Sequence, residues 1–195
     1  MLNINVKSYT HTDIDRKEVL RYAGVPRPTP EVESLLDECL MEAEDAFTYK
    51  VCYAFIPADE AWGRELLAEL SQGERTDTLC GAIIFAATVG IEIDRLIAKY
   101  GRLSPSRALM LQALGAERIE ALCDAFCQDA AEGDEFRGMR LLQRVSPGYG
   151  SFPLDAQRRI FSLLDCHRKI GLSLSDGLTM SPSKSVTALV AIERT

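Results

Sequence analysis

Apolar positions along this chain recur with two periods, and the change from one to the other marks out its elements. After Thr29, the residues Val32, Leu35, Leu36, Cys39, Leu40, Ala43 and Phe47 fall at three- and four-residue steps, one stripe of a helix. Thr29-Pro30-Glu31 is a helix start, with a hydroxyl at the N-cap, proline at the first position and an acid at the positive end of the dipole. The opposite face (Glu33, Asp37, Glu38, Glu42, Glu44) reads as solvated surface. Tyr49 to Ile56 is aromatic and β-branched and stops at Pro57, which predicts a strand. Ala82 to Val89 is an unbroken apolar run between glycines; its length and β-branched content predict a central strand.

Around these elements the pattern is coarser. Ile4 and Val6 alternate as a short strand would, Asp13 to Tyr22 has helical composition, and G-V-P-R-P-T-P is a connector. Glu60 to Leu70 reads as helix. Ile91 to Tyr100 reads as another, closed by Gly101. Ser104-Pro105 opens the longest, to about Ala131, with Leu109, Leu111, Leu114, Ile119, Leu122 and Phe126 buried on more than one side. Pro153 opens a helix to about Arg168, with Ile160, Leu163 and Leu164 inward and Gly171 ending it. Leu172 and Leu174, then Val186 to Ile192, predict two strands. Strands and helices interleave without a βαβ rhythm, so the expected class is α+β, a small mostly antiparallel sheet covered by helices, in a single domain over residues 1–195.

Composition narrows the function classes. Twenty-nine acidic residues against 22 basic ones give a net charge of −7, which argues against a broad nucleic-acid or acidic-membrane surface. No apolar run approaches the ~20 residues of a membrane helix, and no signal peptide is visible at the N-terminus, so a cytoplasmic protein is expected. The six cysteines lie in apolar segments and read as buried free thiols. Cys123 and Cys127 share a helix face, but two thiols do not make a zinc site. His11 is expected in solvent. Asp165-Cys166-His167 begins like the D-x-H-x-x-G corrinoid motif, yet Gly171 comes one residue late and the segment reads as a helix C-terminus, where His167, Arg168 and Lys169 suit the dipole. Neither a nucleophile elbow nor a phosphate loop is present, which disfavours a self-contained hydrolase.

The stretch richest in candidate chemistry is R-V-S-P-G-Y-G-S-F-P, Arg144 to Pro153. Proline and glycine there exclude regular structure. Arg144 suits a bidentate carboxylate clamp. Gly148 permits close backbone approach, Tyr149 offers a ring, and Gly150 and Ser151 offer N–H groups. The same spacing also describes a structural turn whose Arg pairs with a surface acid.

These residues resemble the R-x-x-x-G-Y motif of the activation domain of cobalamin-dependent methionine synthase. In that family a helix and then L-T-E-S-x-x-M-x-P-x-x-S-V-S follow; here L-S-D-G-L-T-M-S-P-S-K-S-V-T stands in register. The clear match spans about Phe136 to Val190. The resemblance implies an S-adenosylmethionine-binding protein of reductive reactivation, with cobalamin only as carried by a partner. It implies that Arg144 holds the methionine carboxylate, that Gly148, Tyr149, Gly150 and Ser151 form the adjoining loop, and that Glu120 contacts the ligand from the preceding helix. Asp13 or Asp15 stands nearest the family's Asp-Trp motif, without the Trp, and the family's later hairpin with a ligand-contacting Tyr lies past Thr195. The implied partners are a cobalamin-dependent methionine synthase or related corrinoid protein and a flavodoxin-type electron donor. The rival readings are a non-enzymatic docking module capping another corrinoid-dependent methyltransferase, and an α+β domain that has lost its activity.

Overall fold

A computed structural model of the chain describes residues 2–10, 13–71, 79–136, 138–150 and 152–194. Its centre is a five-stranded antiparallel sheet built from β1 (Asn5–Tyr9), β2 (Tyr49–Pro57), β3 (Leu79–Thr88), β4 (Met139–Leu141) and β7 (Ser185–Arg194), in the order β1-β2-β3-β7-β4. A two-stranded hairpin, β5 (Ser173–Leu174) with β6 (Met180–Ser181), stands beside it. The helices are α1 (Arg16–Tyr22), α2 (Pro30–Glu42), α3 (Ala61–Ser71), α4 (Glu92–Leu103), α5 (Pro105–Glu132), α6 (Ala156–Leu164) and α7 (Cys166–Ile170). The α+β expectation is met, with the apolar run at Ala82–Val89 lying in and just beyond the central strand.

Both faces of the sheet are covered, which explains why β3 reads as an unbroken apolar run rather than the usual alternation of an antiparallel strand. On one face Val51, Ile83, Phe85, Ala188 and Val190 pack with α1, α2, α4 and α5, where Phe126 lies 4.8 Å from the Phe85 ring and 5.1 Å from Tyr53. On the other, Cys52, Ala54, Ile84 and Ala86 meet α3, α6 and α7 through Leu67, Ile160, Leu164 and Cys166. The register Cys52↔Ala86 and Ala86↔Thr187 carries this second face across to β7.

Several expected boundaries move, each for a local reason. The helix expected to close at Gly101 runs on to Leu103 and ends at Ser104 (φ −155°, ψ 90°). A residue preceding proline is pushed into extended backbone, so Pro105 supplies the stop and starts α5. The single helix expected from Pro153 to Arg168 is two: Pro153–Asp155 form turns, and Asp165 takes the left-handed conformation (φ 49°) between α6 and α7. That break swings Cys166 and Ile170 into the same core that α6 enters. Thr29 caps α2 in extended geometry, but its hydroxyl makes no cap hydrogen bond. Leu109, expected inside, is 52% exposed. The acidic face of α2 is ion-paired rather than simply solvated: Arg16 reaches Glu33 (2.7 Å) and Asp37 (2.6 Å), and Arg107 reaches Glu38 and Glu42. His11 lies outside the described residues. No described helix is long and apolar enough to cross a membrane.

One polar contact lies deep in the assembly. Arg118 on α5 is fully buried; its Nε and Nη2 donate to the two Glu117 oxygens (2.5 Å each), and Nη2 also donates to the Asp13 carbonyl (2.5 Å). Glu117 in turn accepts from the Asp15 N–H (3.1 Å). This fork fastens the strand-to-helix link at residues 13–15 to α5.

Removing one member of a buried pair strands the other charge. Arg118→Met is therefore expected to cost about 3–5 kcal/mol in urea unfolding, and Arg118→Met with Glu117→Leu to recover most of it; equal losses in the single and double variants would contradict this. A second expectation concerns acid. Tyr100 Oη (2.7 Å) and Lys99 Nζ (2.9 Å) donate to Glu42 Oε1 and hold its carboxyl below the ordinary 4.5. A depressed carboxyl contributes stability above its unfolded value and loses it as pH falls through the folded one. Glu42→Gln should thus lower the urea midpoint at neutral pH, and the deficit should shrink as pH falls below the ordinary 4.5.

Candidate functional site

Residues 142–150 leave β4 and follow the edge of β7 before turning outward. Leu142 N donates to Ala191 O (2.8 Å), and Val145 and Leu189 exchange both backbone bonds (2.9 and 2.8 Å). The chain then turns: Tyr149 N donates to Ser146 O (3.2 Å), Gly148 N to Phe152 O (2.8 Å) and Phe152 N to Tyr149 O (3.0 Å). Gly148 sits at φ +93°, where an L side chain is strained, and a Cβ there would come within 3.3 Å of Leu154 Cδ1. Phe152 is buried against α6 and pins the far end. The irregular backbone predicted for R-V-S-P-G-Y-G is thus a loop tied down at both ends.

Arg144 crosses from this loop to α5. Its Nη2 meets Glu120 Oε2 at 2.7 Å and Asp124 Oδ1 at 3.4 Å, with the Arg side chain 19% exposed. The two residues selected from the sequence on separate segments are therefore in contact, and the pairing of Arg144 with a nearby acid holds as well. Tyr149 stands 73% exposed at the rim. Gly150 takes φ +58° beside it. Ser151 lies outside the described residues.

These groups open onto a cavity of about 890 Å³, walled by the loop, Leu154 and Gln157 on the α6 side, Met180 of β6, and Ser185 to Thr187 of β7. The hairpin wall is held in place by Arg158 Nη2 donating to Asp176 O (2.5 Å). The following turn is held by Ser183, whose N and Oγ both donate to the Asp94 carboxylate (2.7 Å each). Ser185 Oγ lies 2.8 Å from both Pro182 O and Thr88 Oγ1. Because Leu189 turns its N–H and C=O toward Val145, ladder alternation turns those of Thr187 to the same side, away from β3.

A second hollow of about 640 Å³ shares Tyr22 and Glu120 with the first and is lined by Asp13, Asp15, Glu18, Glu117 and Asp124. Glu117, Glu120 and Asp124 follow one stripe of α5 at helical spacing. Asp15 spends its carboxylate on the Lys17 and Glu18 N–H groups (2.9 and 3.2 Å), Glu117 on Arg118 and Glu18 on Arg21, while Glu120 and Asp124 share Arg144, so among the described residues Asp13 is the acid of that wall whose carboxylate is least committed.

Of the cavity residues that were not sequence candidates, Gln157 and Thr187 stand out. Gln157 is 6% exposed and Thr187 1%, and among the described residues Gln157 Oε1 and Thr187 Oγ1 have no hydrogen-bond partner. A buried polar atom left so costs about 1–3 kcal/mol. Gln157 had a signal: it is the one polar residue on the inward stripe Gln157-Ile160-Leu164. Thr187 had none, since threonine is ordinary in a strand. Among the described residues, no cluster of His, Cys, Asp and Glu could hold a metal ion. The cysteines are free, and burial pushes the Cys123 thiol up. His167 sits exposed on α7.

Comparison with known proteins agrees with the sequence motifs. The family model of the vitamin B12 dependent methionine synthase activation domain matches residues 67–194. None of the curated proteins matches the chain. Among solved structures, the MetH reactivation domain bound to AdoHcy superposes with a TM-score of 0.66 at 17% identity, covering 97% of this chain and 78% of that chain, which shows the shared fold. With well over half of its length matched, the chain belongs to the family of vitamin B12-dependent methionine synthase activation domains.

Proposed function

We propose that this protein binds S-adenosylmethionine, with S-adenosylhomocysteine as its demethylated counterpart, and serves reductive re-methylation of the cobalamin of a partner methionine synthase. The observation that carries the reading is the meeting of Arg144 and Glu120 at the mouth of a large cavity. The ligand carries a carboxylate, an ammonium and a sulfonium, so its site needs both signs of charge. Both acids meet the same Arg144 nitrogen, so another edge of the guanidinium fork remains for the ligand carboxylate. Glu120 and Asp124, with Asp13 beyond them, face the cationic groups. Gly148 and Gly150, in positive-φ conformations, let the backbone approach, and Tyr149 lies across the mouth. The bound cofactor supplies an activated methyl group; the chain's own residues orient it and present it toward a corrinoid that the partner carries. An electron donor of flavodoxin type completes the reaction.

Isothermal titration should show S-adenosylmethionine and S-adenosylhomocysteine binding, weakened by Arg144→Ala by roughly 1.5–3 kcal/mol for a lost charged hydrogen bond. Absence of binding at millimolar ligand, alone and with the corrinoid partner, would overturn the proposal. The existing neutralisation of Arg144 by two acids favours one second reading, a docking module that caps a corrinoid protein without a ligand. Partner capture insensitive to S-adenosylmethionine and to Arg144→Ala would select it.

A further inference from the structure

From Ser173 to Ser181 no residue is buried, although Leu172 and Pro182 at the two ends are. An element with so few buried contacts sits at the low end of local stability, so packing holds the β5–β6 hairpin only weakly. Inside, the hairpin is well tied: Ser175 N donates to Thr179 O (3.0 Å), Leu178 N to Ser175 O (3.0 Å) and Thr179 N to Ser175 Oγ (3.1 Å). It is a small rigid unit whose place must be fixed from outside. Two polar ties do this. At the tip, Arg158 of α6 donates to the Asp176 carbonyl. Past the return strand, Asp94 in the first turn of α4 takes the Ser183 N–H and hydroxyl, one on each carboxylate oxygen (2.7 Å each). Hydrogen bonds with an ionised partner are roughly twice as strong as neutral ones. Helices α4 and α6 pack on opposite faces of the sheet, so the hairpin is clasped from both layers. Between the ties it carries Met180 into the cavity wall, while neither Asp94 nor Arg158 lines that cavity.

Resting on the function proposed above, we infer that Asp94 and Arg158 are positioning residues for the ligand site. Through the hairpin they set where Met180 closes the wall, so ligand affinity depends on two side chains that the ligand does not touch. Because the hairpin is stiff within itself, releasing either tie lets it turn about the other, and Met180 moves with it. A wall residue displaced in this way loses contact with the ligand without any change at Arg144 or Glu120.

The test joins a resonance to a titration. With isotope-labelled methionine methyl groups, Asp94→Ala and Arg158→Met should each shift or broaden the Met180 signal, identified by its loss in Met180→Ala. The signal of Met139, paired to Arg194 at the far end of β7, should stay in place. In titration with S-adenosylhomocysteine each variant should weaken binding by at least about threefold, and that loss should vanish when Met180 is already alanine, as for sites coupled through one residue. Asp94→Asn, whose amide can still accept from the Ser183 N–H and donate to its hydroxyl, should bind as wild type does. An unmoved Met180 signal, or the same loss of affinity with and without the Met180 side chain, overturns this inference and leaves the proposed function standing. Wild-type protein that binds neither S-adenosylmethionine nor S-adenosylhomocysteine overturns that function, and the positioning role with it.

Discussion

A guanidinium shut away from water must have its donors answered by protein, and Arg118 is so placed. Its bonds to Glu117 and to the Asp13 carbonyl, with the Asp15 N–H on the same Glu117, draw the N-terminal segment onto the longest helix. Single breaks in such a contact cost more than the pair contributes, because what remains is a buried lone charge. The consequence is positional. With residues 13–15 held against α5, the following turns of that helix expose Glu120 and Asp124 beside Asp13, and Arg144 arrives from the other side to meet them. A buried ion pair, whose Glu117 itself lines the smaller hollow, thus sets which acids stand beside it.

The second constraint is the double cover of the sheet. Helices on both faces leave β7 accessible from its edge, and the short β4 pairs only its end, at Ile192 to Arg194. The loop after β4 takes up one further pairing at Val145 and then departs, so the outer edge of the strand from Ser185 to Thr187, paired to β3 on its other side, faces a cavity. Unpaired strand edges invite association; here the 142–150 loop, α6 and the β5–β6 hairpin enclose the edge and convert it into a wall. Gly148 permits the turn, and Phe152 anchors it in the core.

The motif residues were legible because they depart from what packing alone would choose. Clustered proline and glycine near an arginine have no purpose in a core, and an L-T-M-S-P turn before a strand stands out for the same reason. Gln157 was half-legible, as an amide on an apolar stripe. Thr187 was not, since its meaning lies in an oxygen that finds no partner among the described residues, and partners are a property of three-dimensional neighbours. The acids of α2 misled in the same way: their spacing reads as solvent-facing, but Arg16 and Arg107 come from other helices to meet them.

By itself the sequence determined the elements and the class. Period and length distinguish helix from strand because side chains project every 3.6 or every 2 residues, and the apolar run at Ala82–Val89 requires burial on both faces. Local chemistry also placed the candidate loop. Only the tertiary structure decided how α6 and α7 divide at Asp165, which acids face Arg144, and that a helix and a strand distant in sequence share one cavity. Those outcomes depend on contacts between remote segments, in which the energy of a side chain is set by what packs against it rather than by its neighbours along the chain.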